Sequence, residues 1–160
     1  MMHSPAEATV LRTFRPGDED AFLRLNEAWI STNFALEPHD REVLGDPRTH
    51  ILSRGGQICI AELHGQAIGC CALVPITPGD FELAKMTVAE AARGRAIGRR
   101  LLEFTIAEAR RMGARRLYLE SNTKAAAAVH LYEQLGFHHL PGPPQPSPYA
   151  RANVFMEMNL

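Results

Sequence analysis

An extended run, Phe81-Glu82-Leu83-Ala84-Lys85-Met86-Thr87-Val88, is followed by Arg93-Gly94-Arg95-Ala96-Ile97-Gly98 and then by a helical run that reaches Met112. The helix carries apolar residues at Ile97, Leu101, Leu102, Ile106, Ala109 and Met112, in steps of three and four that mark one buried face. A strand that hands over to an amphipathic helix through a short Gly-containing turn leaves several backbone N–H groups unpaired and aimed at one point. The helix dipole adds positive potential there, so such a turn suits phosphate or pyrophosphate. Arg93, Arg95, Arg99 and Arg100 reinforce that potential. Taken alone, the six residues are equally compatible with an ordinary turn under a solvated basic face.

The same alternation of element types continues along the chain. Residues 9–15 alternate as a first strand, Pro16-Gly17-Asp18 breaks it, and Asp18 is placed to cap a helix over residues 19–32 with Phe22, Leu25, Trp29 and Ile30 inward. A second short helix runs from Glu37-Pro38-His39-Asp40 to Leu44. Residues 57–63 and 67–74 form a hairpin around His64-Gly65-Gln66, residues 75–80 a loop, and residues 81–88 a further strand. A strand over 115–120, a helix over 125–135 ended by Gly136, a short extended piece at 137–140 and a last strand over 152–160 complete the order. The Pro-rich stretch 141–148 reads as a rigid loop between strands. The expected architecture is α/β (α+β): a mixed, mostly antiparallel twisted sheet of about seven strands flanked by about four helices. The length of 160 residues fits a single domain, residues 1–160.

Composition excludes several classes. A net charge of −1 makes the arginine cluster a local feature and argues against a nucleic-acid binder, for which a basic domain is expected. Cys59, Cys70 and Cys71 are odd in number, two of them adjacent in an apolar run, which fits buried reduced thiols better than disulfides. Cys70 and Cys71 point to opposite sides of a strand, so at most one is expected in the core or a cleft. There is no CxxC or HExxH spacing, and His130, His138 and His139 read as surface residues, so no metal is expected. No run is long and apolar enough for a signal core or a membrane helix, which makes a soluble cytoplasmic protein, with no membrane partner, the default expectation. No Gly-Lys-[Ser/Thr] follows the turn, so a P-loop hydrolase is excluded.

Three local matches, in order and at the right separation, resemble the GNAT superfamily of acyl-CoA-dependent N-acetyltransferases. The turn resembles that family's pyrophosphate signature, [Arg/Gln]-x-x-Gly-x-[Gly/Ala]. Met86-Thr87-Val88 sits where the family's strand pairs with the pantetheine arm. Asn122 followed by Leu131-Tyr132-Glu133-Gln134-Leu135-Gly136-Phe137 resembles the family's Asn…Leu-Tyr-x-x-x-Gly-Phe segment. The match is strong from about residue 81 to 137, and outside it only the element order agrees. Two departures stand out. Ala96 replaces a usual glycine; it is tolerated if it already lies in the first helical turn, which is the arrangement expected here, and costs roughly 1 kcal/mol if it needs a positive φ. Ala125 replaces a second asparagine found in many members.

The resemblance implies acetyl-CoA as cosubstrate, held by Arg93, Gly94, Arg95, Ala96, Ile97, Gly98 and Arg99 together with Met86, Thr87, Val88 and Asn122. It implies direct transfer to a primary amine. Tyr132 resembles the family's general acid, which protonates the departing thiolate; its alternative is a core aromatic on an amphipathic helix. Glu82 stands where some members carry the catalytic base, and burial between Phe81 and Leu83 would raise its pKa into a useful range. Its alternatives are a solvent-facing position or a pair with Lys85. Asn122 would bind the pantetheine or a neighbouring backbone group.

Candidates for the acceptor side are Trp29, Phe34, Glu37, Tyr149 and Arg151, where an aromatic group with an acid suits an amine and Arg151 suits one that carries a carboxylate. Each has a core or surface alternative. A small-molecule amine is the expected acceptor, because a rigid 141–148 loop points to a closed pocket. A protein or peptide amine, or a non-catalytic acyl-CoA-binding module, are the alternatives. A homodimer through the last strands is expected from the resemblance alone.

Overall fold

The computed structural model describes residues 8–93 and 96–160. Seven strands form one sheet, β1 (Val10–Thr13), β2 (Gln57–Leu63), β3 (Gln66–Thr77), β4 (Asp80–Val88), β5 (Arg116–Ser121), β6 (His138–His139) and β7 (Val154–Asn159), in the spatial order β1-β2-β3-β4-β5-β7-β6. Among the described residues five α-helices accompany it: α1 (Glu19–Asn33), α2 (Pro38–Gly45), α3 (Pro47–His50), α4 (Ile97–Arg111) and α5 (Ala126–Gln134). All pairings are antiparallel except β4–β5, the one pair joined by a helical crossover, α4.

The sheet is covered on both faces, and the hydrophobic pattern of each helix shows why. One core cluster gathers Ile97, Leu101, Leu102 and Ile106 of α4 with Leu83, Leu117, Leu119, Tyr132 and Phe137. The other gathers Phe22, Leu25 and Ile30 of α1 and Val43 and Leu44 of α2 with Ile58, Ile60 and Ala72. Removing a leucine or isoleucine side chain from water contributes about 1.5–3 kcal/mol each, so these two clusters hold the layers together. Covering on both faces overturns one expectation. Cys70 and Cys71 do point to opposite faces, yet both are fully buried, Cys71 in the α4 cluster and Cys70 in the α1 cluster. Burial pushes the Cys70 thiol up to about 12, so it is inert as a nucleophile at neutral pH.

Other boundaries move for identifiable reasons. β3 runs through Thr77 rather than ending at Val74, because Val74, Pro75 and Thr77 pair with Glu82, Phe81 and Asp80, and only a tight turn at Pro78-Gly79 remains. A one-turn helix, α3, follows Gly45, capped by the Asp46 side chain on the Thr49 N–H. Asp18 occupies the N-cap of α1, but its carboxylate does not cap; it accepts from Arg12 at 2.7 and 3.0 Å and from the Arg15 N–H at 2.7 Å. Glu37 and Asp40 form a reciprocal capping box at the start of α2.

Candidate active site

β4 departs from a regular strand where the chemistry is expected. Cys70 of β3 faces Thr87 and Ala72 faces Ala84, so Lys85 and Met86 together oppose Cys71. This β-bulge re-aims the strand. Lys85 carries it with φ of +55°, a strained value for a residue with a β-carbon. Three contacts hold it there: its Nζ donates to Asp40 Oδ1 at 2.7 Å and to the Tyr149 hydroxyl at 2.9 Å, and the Cys70 Sγ lies 3.5 Å from its carbonyl. β4 and β5 have already parted company before the bulge. Their parallel pairing covers only Asp80, Phe81 and Glu82 against Arg116, Leu117 and Tyr118.

The gap between the diverging strands is a cleft of about 650 Å³. It is lined by β4 from Glu82 to Val88, by Arg93, Ala96, Gly98 and Arg99, by Asn122, by the α5 face that carries Tyr132, and by Trp29, Phe34, Tyr149 and Arg151. Nearly every described residue expected at the site therefore meets in one place. Gly94 and Arg95 lie outside the described residues. Ile97 turns its side chain into the core, 1% exposed, which leaves only its backbone to the turn. Glu37 does not line the cleft; its carboxylate accepts from the Ala150 N–H at 2.8 Å and from Arg151 at 3.1 Å.

At the turn, Ala96 is in the left-handed region at φ +61°, just before α4 begins. The expectation that it lies inside the first helical turn is therefore corrected. The fold needs a left-handed residue at this corner, and the usual glycine would supply it without strain. Ala96→Gly should relieve about 1–2 kcal/mol of strain and give back part of that through a more flexible unfolded chain, a net gain below about 1 kcal/mol readable in a urea melt. Gly98, by contrast, is not required by the protein's own packing. A β-carbon there would meet Met86 Cε at 3.6 Å and Val88 Cγ2 at 3.8 Å, ordinary contacts. Arg93 Nε donates to the Val88 carbonyl at 2.9 Å, which ties the turn to the end of β4. Arg100 Nη1 is buried without a hydrogen-bond partner among the described residues.

Glu82 lies mid-cleft. Burial and the neighbouring Glu120 charge, partly offset by Lys85, raise its carboxyl to about 7. Lys85 does not pair with it; the ammonium belongs to Asp40. Glu82 and Tyr118 are partners in the β4–β5 pairing, so Glu120, two residues on, shares their face. Glu120 accepts from the Tyr118 hydroxyl at 2.8 Å and from Ser147 at 2.5 Å. Tyr132 is buried, its ring edge-on to Phe137, and its hydroxyl lies 3.6 Å from Met86 Sδ on β4. Burial holds that phenol well above its ordinary value.

The side of the cleft where an acceptor is expected is walled by the segment before β7. Arg151 meets both Asp40 oxygens at 2.6 and 2.7 Å, and Asn122 donates to the Arg151 carbonyl at 2.6 Å while accepting from the Lys124 N–H at 2.8 Å. The Asn122 side chain thus serves a neighbouring backbone, and the Arg151 guanidinium, expected to be available for a substrate carboxylate, is already taken by carboxylates of the chain itself. Asp40, Lys85 and Glu120 had no signal in the sequence beyond their charge, because each finds its partners through the fold.

A family model described as the acetyltransferase (GNAT) family matches residues 20–137. The chain belongs to that family. The GNAT chain is 28% identical over 142 residues, 84% of each sequence, to YjgM of Escherichia coli strain K12, called an uncharacterized N-acetyltransferase. Its fold is that of a GNAT acetyltransferase from Staphylococcus aureus Mu50, with a TM-score of 0.84 at 21% identity over 95% of this chain and 99% of the other. It also matches yncA of Salmonella typhimurium, solved with its cofactor acetyl-CoA, with a TM-score of 0.73 at 23% identity over 94% and 93%. This acetyltransferase has no helix among the described residues long and apolar enough to cross a membrane.

Proposed function

We propose that this acetyltransferase moves an acetyl group from acetyl-CoA to a primary amine of a small molecule by direct transfer. The observation that carries the reading is the split between β4 and β5, with a carboxyl raised to about 7 (Glu82) and a buried phenol (Tyr132) both lining it. The residues present suit the cosubstrate. Packing among the described residues does not require a glycine at Gly98, and Arg93, Arg99 and Arg100, whose Nη1 has no hydrogen-bond partner among the described residues, bring positive charge to the start of α4. The backbone around residues 96–99 would hold the pyrophosphate, and Met86, Thr87 and Val88 would face the pantetheine.

When bound, acetyl-CoA supplies an acyl group activated as a thioester. The neutral amine nitrogen forms the bond to the acyl carbon as the carbon–sulfur bond breaks. Glu82 takes the proton the nitrogen sheds, directly or through water, and Tyr132 returns a proton to the leaving sulfur. A high phenol pKa suits that donation, because the phenol stays protonated until a thiolate forms beside it. The wall of residues 147–151, tied to Glu37, Asp40, Lys85 and Glu120, supports a small acceptor over a peptide.

Two measurements test the reading. Melting with acetyl-CoA at 100 times its Kd should add about 2.7 kcal/mol of stability, and no stabilisation at millimolar cosubstrate would remove the cofactor assignment. The pH profile of kcat/KM should rise through about 7 as Glu82 loses its proton. Glu82→Gln should abolish that limb and lower the rate by roughly 10²–10⁴; a variant that keeps the limb excludes Glu82 as the base. Linkage gives a second sign. A raised carboxyl binds a proton more readily folded than unfolded, so it costs stability as pH rises from its ordinary value through 7. Glu82→Gln should therefore gain stability over the wild type between pH 5 and 8.

A further inference from the structure

We propose that the acceptor is a cationic amine with no carboxylate on the carbon that bears it, an arylalkylamine or diamine rather than an amino acid. The inference rests on the acetyl-transfer reading and deepens it. The charges around the acceptor end carry the argument. Lys85 and Arg151, partly buried cations there, are bound to Asp40 at 2.6–2.7 Å, and Arg151 also to Glu37 at 3.1 Å. Two cations are thus matched by two carboxylates of the chain, and no guanidinium fork remains for a substrate carboxylate. Glu82 and Glu120 share one face of the cleft and form no ion pair among the described residues. The donors on Glu120 are the neutral hydroxyls of Tyr118 and Ser147, which bring it no positive charge.

Trp29 and Phe34 line the same cleft, ring centroids 6.0 Å apart and both only partly buried. Aromatic faces attract a cation or pack an apolar arm. An arriving ammonium meets carboxyls and aromatic faces, and it can give up a proton inside the cleft to Glu82. A carboxylate on the same carbon would be carried toward those two acids, while the described cations at that end, Lys85 and Arg151, are already paired. Among the described residues Lys124 is a further cation of the rim, exposed over the Phe34 ring at 5.2 Å, where water screens it. Arg93 and Arg99 belong to the pyrophosphate end.

The test is kcat/KM, read by thiol release from acetyl-CoA, for matched pairs: phenethylamine and phenylalanine, tyramine and tyrosine, putrescine and ornithine. The amine without the carboxylate is expected to win at least one pair by about tenfold or more and to lose none. Phenylalaninamide, which keeps the bulk but not the charge, should behave as an amine, and Glu120→Gln should narrow the ratio. Ratios of one or below in the wild type, or no transfer to any of the carboxylate-free amines, overturn the proposal. Melting with acetyl-CoA alone separates the two failures: stabilisation without amine preference sinks only the acceptor class, whereas no stabilisation sinks the acetyl-transfer reading with it.

Discussion

Asp40→Ala should cost about 3–5 kcal/mol of folding stability, the range for removing one partner from a buried ion pair. Asp40 is fully buried on α2, and its carboxylate joins Lys85 of the β4 bulge to Arg151 of the segment before β7. Without it Lys85 keeps Tyr149, and Arg151 keeps Glu37, among the described residues. Two cations would then sit close together, poorly hydrated, at the place where Lys85 is held at a strained φ. The loss should show as a lower urea midpoint with an unchanged slope, and kcat should fall with it, since the bulge shapes the cleft. The pH dependence has a definite sign. Burial alone would raise the Asp40 carboxyl, but hydrogen bonds from Arg151, Lys85 and the Glu37 N–H outweigh it and hold the group well below the ordinary range. That contribution is complete above the unfolded value near 4 and fades as pH falls toward the folded one, so wild type and variant should converge in acid. A loss below about 1 kcal/mol at pH 7 would mean that the cluster is not what holds the acceptor wall.

The second large effect is on rate alone. Tyr132→Phe should lower kcat by roughly 10²–10⁴ while leaving the melting temperature nearly unchanged. Among the described residues the hydroxyl makes one weak contact, to Met86 Sδ at 3.6 Å, and the ring keeps its edge-on packing against Phe137. A structural tyrosine would show the reverse, an unaltered rate with lost stability. That split between rate and stability makes this variant more informative than an alanine, which would open a cavity in the α4 cluster and confound the two.

The parts of the fold legible in the sequence are those set by local pattern. The α4 stripe, the 57–63 strand and the Leu-Tyr-x-x-x-Gly-Phe segment fall where periodicity and end signals place them, because each buries one face against the same sheet. What escaped was set by contacts far apart in the chain. Lys85 and Asp40 are 45 residues apart, and Arg151 and Asp40 are 111 apart, so no spacing announces the cluster. The bulge escaped because Lys85 has no local mark of a positive φ; the strain is sustained by Asp40, Tyr149 and Cys70 rather than by a glycine. Ala96 is the converse case, where a favourable helix former is forced left-handed by the corner between β4 and α4. The fate of Arg151 depends on partners the sequence does not reveal, and with it the kind of acceptor the cleft can take.

The most direct test of the account is the stoichiometry of the reaction, followed by mass spectrometry and thiol release with acetyl-CoA and a panel of amines. The account predicts one free thiol for each N-acetylated amine and no burst of thiol from enzyme and acetyl-CoA alone. Thiol release without acetylamine, or no release above the uncatalysed rate with any amine, would contradict it.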